Sequence, residues 1–213
     1  MTCAHCCGAE NIFDKKEANK NLNRFKKKGP NKTTSLLLNA IKKETIEGFS
    51  LMDIGGGIGV IQLELLKANI KSSTDVDASN AYIKVAKSLL KDNGYENTQF
   101  IHGDFNDKIN ELEKHNIVTL ERVVCCYPYI EDLIDNSTSK AISYYGLVYP
   151  NDGGLSKFLN KLAHFYFWLK KNPFRTHIHS EIMMHKRIEK NGFNRIYYMK
   201  QFPWNVALYK RVQ

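Results

Sequence analysis

The run Leu51-Met52-Asp53-Ile54-Gly55-Gly56-Gly57-Ile58-Gly59-Val60 has the make-up of a ligand loop: an apolar strand ending in an acid, then four glycines, then a helix. Glycine lets a backbone turn sharply and approach a ligand with no Cβ in the way, and the N-terminus of the helix that follows favours negative charge. A glycine-rich turn with no ligand is the plain alternative. A dinucleotide fingerprint begun at Gly55 and Gly57 needs a third glycine where Val60 stands, so a nicotinamide dinucleotide is not the expected occupant.

Two further acids stand at the ends of apolar runs. Thr74-Asp75-Val76-Asp77-Ala78-Ser79 comes about 20 residues after the loop, the place where an acid accepts hydrogen bonds from ribose hydroxyls. Asp77 is the choice, with Asp75 in its place if the register slips by two. Asp77 could instead serve the N-terminus of the next helix, although Ser79 is the better cap. His102-Gly103-Asp104-Phe105 closes a third run, and there Asp104 caps a helix in the plain reading. Ligands of open α/β sheets bind beyond the carboxyl ends of the strands, which is where all three acids fall.

The elements that must position them follow from periodicity. From Phe49 onward, short apolar runs alternate with helical segments, the pattern of strand-helix units in a parallel sheet. Strands are predicted at 50–54, 72–76, 99–102, 117–124 and 143–149, with helices at 58–67, 79–92, 108–114 and 129–135 between them. A helix at 180–190 and strands at 195–200 and 205–210 form a closing hairpin. Two helices, 13–28 ended by Gly29-Pro30 and 33–44 with Leu36, Leu37, Ala40 and Ile41 on one stripe, precede the sheet. The expected fold is α/β: a Rossmann-like, doubly wound, seven-stranded sheet, mostly parallel, with an antiparallel C-terminal edge hairpin and N-terminal helices.

Asp53-x-Gly55-x-Gly57-x-Gly59, with an acid at the strand end, resembles the first motif of class I S-adenosylmethionine-dependent methyltransferases. Asp77 before Ala78-Ser79, and Asp104 with Phe105, resemble the segments that meet the ribose and the adenine in that family. The resemblance implies S-adenosylmethionine as cofactor, with the loop passing close to its methionine part and Asp53 helping to position the amino group. It implies that Asp104 meets the adenine amino group and Phe105 flanks the ring. The stretch from Phe13-Asp14 through Arg24 to Gly29-Pro30-Asn31-Lys32-Thr33-Thr34 is similar to small prokaryotic methyltransferases labelled magnesium-protoporphyrin methyltransferase-like. Residues 1–213 are thus expected to form one methyltransferase domain, in which 1–48 supply a Cys-rich arm and lid helices and 153–176 a helical insertion near the acceptor.

Methyl transfer from a sulfonium chiefly needs donor and nucleophile held in line, so a general base is optional and no catalytic residue is singled out. The acceptor is expected past the fourth and fifth strands, beside Glu121, Cys125, Cys126, Tyr127 and Tyr144. Glu121, His102, His164, His177 and His179 are the candidate bases. The segment lacks the Asn/Asp-Pro-Pro-aromatic signature of enzymes that methylate amino groups of nucleic-acid bases, and a small-molecule acceptor is expected. Cys3, Cys6 and Cys7 form a second thiol cluster. Cys3 and Cys6 with His5 could supply zinc ligands, but the second pair at finger spacing is missing and no metal site is expected. If the clusters met, they could hold a thiol or a metalloid, making the chain a thiol or metalloid methyltransferase; buried cysteines and a loose arm are the plain alternative.

Bulk composition bounds the rest. The 213 residues, 25% charged and 43% apolar, suit one folded domain. A net charge of +9 would attract polyanions, and a non-catalytic nucleotide- or RNA-binding protein of the same fold is the rival from another class; yet the lysines are scattered, which favours a solvated surface. No segment is long and apolar enough to span a membrane, and no basic stretch precedes an apolar core near Met1, so a cytoplasmic location is expected. The aromatic-rich helix predicted at 158–170 is expected to pack Leu159, Leu162, Phe165, Phe167 and Leu169 onto the domain. Its alternatives are a cap over an apolar substrate or a surface that touches a membrane.

Overall fold

The computed structural model describes residues 12–169 and 175–212, the side chains of 165–168 excepted. Two helices, α1 (Lys15–Lys28) and α2 (Lys32–Ile41), lead into the alternation β1 (Ser50–Ile54), α3 (Val60–Leu66), β2 (Ser72–Asp77), α4 (Asn80–Asp92), β3 (Thr98–His102), α5 (Phe105–Lys108), β4 (His115–Glu121), α6 (Ile130–Lys140) and β5 (Ala141–Pro150). The insertion helix α7 (Gly154–Leu169), α8 (Glu181–Lys190), β6 (Phe193–Gln201) and β7 (Trp204–Arg211) complete the chain. The seven strands form one sheet in the order β3-β2-β1-β4-β5-β7-β6. Strands β1 to β5 pair in parallel, and β7 slots antiparallel between β5 and β6, so the hairpin closes one edge as expected.

Period-two alternation sends side chains of each strand to opposite faces, and both faces are covered. Met52, Ile54, Val118, Leu120, Tyr145 and Leu147 pack with Leu133, Ile134, Met184 and Ile188 of α6 and α8. Leu51, Ile117, Tyr144, Val148 and Val206 pack on the other face with Leu37 and Ile41 of α2, Ile61 and Leu65 of α3, and Leu89 of α4. The chain doubles back between β1 and β4, so their carboxyl ends open the crevice in which such sheets bind ligands.

Several predicted boundaries move, each for a local reason. The helix expected at 108–114 starts earlier, because the Asp104 carboxylate accepts from the Asn106 amide at 2.8 Å and caps α5; a single 3-10 turn, Ile109–Glu111, then leads to β4. Strand β4 ends at Glu121 because Arg122 takes the left-handed conformation, φ 61°, in which no strand continues. Helix α6 runs on to Lys140, and α7 begins at Gly154, ahead of its predicted start.

Candidate active site

The glycine loop is shaped from below by a buried polar layer. Asp53 stands between Asp75 of β2 and Thr119 of β4 in register, and Thr119 Oγ1 donates to its carboxylate at 2.6 Å. The Gln62 side-chain amide, with its nitrogen turned inward, donates to Asp53 Oδ2 at 3.2 Å and to the Gly59 carbonyl at 3.3 Å. Asp75 Oδ1 accepts from the Gly56 amide at 3.3 Å, while its Oδ2 is buried with no partner. Burial pushes the Asp53 carboxyl up to about 8 and holds Asp75 well above the usual carboxylate range, with the neighbouring carboxylates adding to both shifts. Gly56 must be glycine for lack of room, since a Cβ there would stand 2.2 Å from the outer atom of the Gln62 side-chain amide and 2.5 Å from Asp75 Oδ1. Gly57 must be glycine for its backbone, with φ 59°.

Above the loop lies a cleft of about 290 Å³. Its floor is the loop from Ile54 to Ile58; one end is made by Asp77, Ala78, Ser79, Gly103 and Asp104, and the other by Glu121, Arg122, Val123, Cys126 and Tyr127. Asp77 ties loop to strand: its Oδ2 accepts from the Gly57 amide at 3.0 Å and its Oδ1 from the Ser79 amide at 2.7 Å. Ser79, not Asp77, caps α4, its hydroxyl accepting from the Tyr82 amide at 3.2 Å. Burial raises the Asp77 carboxyl, and the two amides work against that rise.

Helices α1 and α2 roof the cleft through Asn21, Arg24, Asn31 and Thr34. Three contacts hold the first turn and face of α1 to the β2–α4 corner: Ser79 Oγ donates to the Phe13 carbonyl at 2.7 Å, Asn21 Nδ2 donates to the Tyr82 hydroxyl at 2.7 Å, and the Phe13 and Tyr82 rings meet edge to face at 5.8 Å. Helix α2 grips the end of β4. Thr34 Oγ1 donates to Glu121 Oε1 at 2.5 Å and Arg122 Nη2 donates to Thr33 Oγ1 at 2.9 Å, while the guanidinium lies 5.0 Å over the Trp204 ring. Burial raises the Glu121 carboxyl, opposed by the Thr34 bond and by Arg122.

The structure brings most of the expected site together and leaves some of it out. Gly55, Gly57, Asp77, Asp104, Glu121, Cys126 and Tyr127 all line the cleft. Asp53 and Gly59 lie beneath it, Asp53 being 1% exposed, so Asp53 acts on the loop and not on the cleft's contents. Phe105 turns into the core once Asp104 caps its helix, so the expectation that it flanks an adenine ring is not met. Tyr144 sits in mid-strand under α2, its hydroxyl donating to Glu44 at 2.8 Å, and does not reach the acceptor end. Cys125 is buried, with its Sγ donating to the Arg122 carbonyl at 3.3 Å; its hydrogen bond with Cys126, and burial, push the Cys126 thiol up. Cys3, Cys6 and Cys7 lie outside the described residues. No described group of three or more His, Cys, Asp or Glu side chains could hold a metal ion.

None of the four candidate histidines lines the cleft: His102 meets Asn80 and the Ala78 carbonyl, His164 the Thr176 carbonyl and His179 the Tyr127 carbonyl, while the His177 ring stacks on that of His179 at 6.0 Å. In the sequence Arg24, Asn31 and Thr34 stand out only as part of the stretch similar to small prokaryotic methyltransferases, with no role at a site, and Asn21 and Tyr82 do not stand out at all. Only the helical position of these polar residues was visible there, and nothing local says which of them faces a cleft.

Residues 17–120 match the model of a methyltransferase family, the methyltransferase small domain. Among solved structures, the chain is similar to magnesium protoporphyrin IX methyltransferase from Synechocystis PCC 6803, solved with bound SAH, at 19% identity and TM-score 0.66 over 84% of this chain and 81% of that one. A ribosomal protein L11 methylase from Lactobacillus delbrueckii subsp. bulgaricus aligns at 15% identity and TM-score 0.61 over 86% and 81%. A putative RNA methyltransferase from Pyrococcus horikoshii aligns at 14% and 0.59 over 87% and 84%. At such identities the structures speak for the fold, and the stretch matched by the family model spans the glycine loop and the acids beside it. The fold and the family match together support a class I S-adenosylmethionine-dependent methyltransferase.

Proposed function

We propose that the cleft binds S-adenosylmethionine at its β2–β3 end and presents the methyl group to a small-molecule acceptor at its β4 end. The observation that carries this reading is Asp77, whose two oxygens each hold one backbone amide. A carboxylate has about four lone-pair sites, so two remain for the ribose hydroxyls. The fit of the loop supports it as well: no side chain rises from Gly55, Gly56 or Gly57, and Asp104 stands at the adenine end of the wall.

When bound, S-adenosylmethionine supplies a methyl group on a positively charged sulfur that leaves neutral. The chain's own work is to orient and to exclude water. Asp77 and the loop hold the nucleoside, and Asp53 and Gln62 hold the loop. Glu121 is the group placed to take a proton from an acceptor hydroxyl or amine. It lines the cleft, burial raises its pKa toward the working range of a base, and Thr34 fixes its orientation. The roof of α1 and α2 partly covers the cleft, and a part-covered space of this size favours a small acceptor.

Calorimetric titration of S-adenosylmethionine and its demethylated product tests the reading, with Asp77→Ala as the variant and NAD as the control. Micromolar binding that is lost in folded Asp77→Ala protein is the expected result. Equal binding by both proteins would overturn the assignment of Asp77, and no binding by the folded native chain would overturn the cofactor site.

A further inference from the structure

Helix α7 (Gly154–Leu169) carries its polarity the wrong way round for a helix packed on a domain. Its inward stripe is polar. Ser156 is buried, Asn160 Nδ2 donates to the Thr176 carbonyl at 3.1 Å, and His164 Nε2 lies 2.6 Å from the same carbonyl. Its outward stripe is apolar: Leu155, Phe158, Leu162 and Leu169 are 59%, 58%, 50% and 59% exposed, with Leu159 beside them. The expectation that Leu159, Leu162 and Leu169 pack onto the domain is therefore not met; Phe165 and Phe167 lie outside the described side chains. A face of leucines and a phenylalanine at helical spacing marks a surface that something covers.

Charge says what covers it. From Gly153 to Ser180 the sequence has Lys157, Lys161, Lys170, Lys171 and Arg175 and no acid at all. Lys157 and Lys161 are exposed next to the apolar stripe. A second copy of the chain, itself at +9, would bring like charges together, and RNA phosphates would engage the lysines while leaving the leucines bare. An apolar stripe flanked by cations on a helix too short and insufficiently apolar to cross a bilayer matches an interfacial helix at an anionic lipid surface.

We infer that α7 is a membrane-docking helix that seats Leu155, Phe158, Leu159, Leu162 and Leu169 in the headgroup region of an anionic bilayer. The helix is tied to the cleft's rim by the segment that follows it. The His177 amide donates to the Cys125 carbonyl at 2.8 Å, and His179 Nε2 lies 2.9 Å from the Tyr127 carbonyl. Docking thus sets the β4 end of the cleft beside the bilayer, and the acceptor is an amphiphile met at that surface. This last step rests on the proposed acceptor end; the docking does not.

Co-sedimentation with phosphatidylcholine vesicles, with and without phosphatidylglycerol, tests it. The native chain sediments with the anionic vesicles. The Phe158→Asp/Leu162→Asp variant stays in the supernatant, and each of Lys157→Gln and Lys161→Gln weakens binding roughly fivefold. Both substituted apolar side chains are exposed and neither lines the cleft, so calorimetric binding of S-adenosylmethionine is the same in the variant as in the native chain; that separates failure of docking from failure of the cofactor site. Three results would overturn the docking: a native chain that stays in solution, vesicle binding untouched by the Asp substitutions, or a dimer seen by light scattering that Phe158→Asp dissolves.

Discussion

The buried carboxyl under the glycine loop makes the protein's stability sensitive to pH in a direction opposite to that of most acids. Burial lifts Asp53 from its ordinary 3.8 to about 8, so the folded chain keeps a proton that the unfolded chain gives up above about pH 4. Because the folded state then binds more protons, stability falls as pH rises. The contribution is full below about pH 4 and is lost progressively up to about pH 8, at about 1.4 kcal/mol per pH unit and about 6 kcal/mol across the window. That is comparable with the whole stability of a small domain, 5–15 kcal/mol being typical. Asp53→Asn removes the titration and keeps an oxygen for the Thr119 hydroxyl. Urea unfolding at pH 5, 6, 7 and 8 should show the native midpoint falling with pH, and the variant falling less steeply by about the slope of one proton. Asp75, raised for the same reason, leaves a residual slope in both. Identical pH dependence of native and variant chains would refute the reasoning, since Asp53 would then be ionised in the folded protein and held by Thr119 and Gln62 as an anion.

Four further outcomes follow from the geometry. Gly56→Ala should lower stability by about 1–3 kcal/mol in thermal unfolding, because its Cβ meets Gln62 and Asp75 side chains pinned in a packed layer. Tyr82→Phe removes the hydroxyl that accepts from Asn21; it should cost about 1 kcal/mol in urea unfolding and weaken S-adenosylmethionine binding in calorimetry by loosening the roof. Glu121→Gln should leave cofactor affinity unchanged and lower turnover on an acceptor hydroxyl or amine by about 10²- to 10⁴-fold, with the acidic limb of the pH profile, where the base takes up its proton, lost. Cys126→Ser should leave turnover unchanged, as the thiol is held protonated and its neighbour Cys125 faces the core.

The glycine-loop end of the cleft was legible because backbone geometry dictates residue type there. A loop that turns at Gly57 with φ 59° and passes Asp75 at Gly56 has to be written in glycine, and a strand end that receives a loop amide has to be written as Asp or a near relative. Periodicity did the same for the sheet, since alternation through Met52, Ile54, Val118 and Leu120 is enforced by layers on both faces. Where local rules compete, the reading failed. At Asp104-Phe105 a cap and a ring contact ask for opposite orientations of adjacent side chains, and the cap won. Tyr144 has a suitable hydroxyl but lies within β5, where a mid-strand side chain faces a helix layer, whereas ligands meet a parallel sheet past its carboxyl ends.

The β4 end was less legible for a different reason: its chemistry is assembled by contacts remote in sequence. Thr34 meets Glu121 across 87 residues, Thr33 meets Arg122 across 89, and Asn21 meets Tyr82 across 61. None of these polar residues carries a local signal, because threonine and asparagine on amphipathic helices ordinarily face water. What the fold adds is an environment. Arg122 is forced into a left-handed turn at the end of β4, and its side chain is clamped between Thr33 and the Trp204 ring, so that Glu121 beside it is buried without losing a cation to offset its charge. A carboxyl so placed is tuned by its neighbours more than by its own position in the strand. The acceptor should therefore be sought through the α1–α2 roof, whose side chains meet Glu121 and Arg122, and not through the glycine loop, whose partners are the acids of its own sheet.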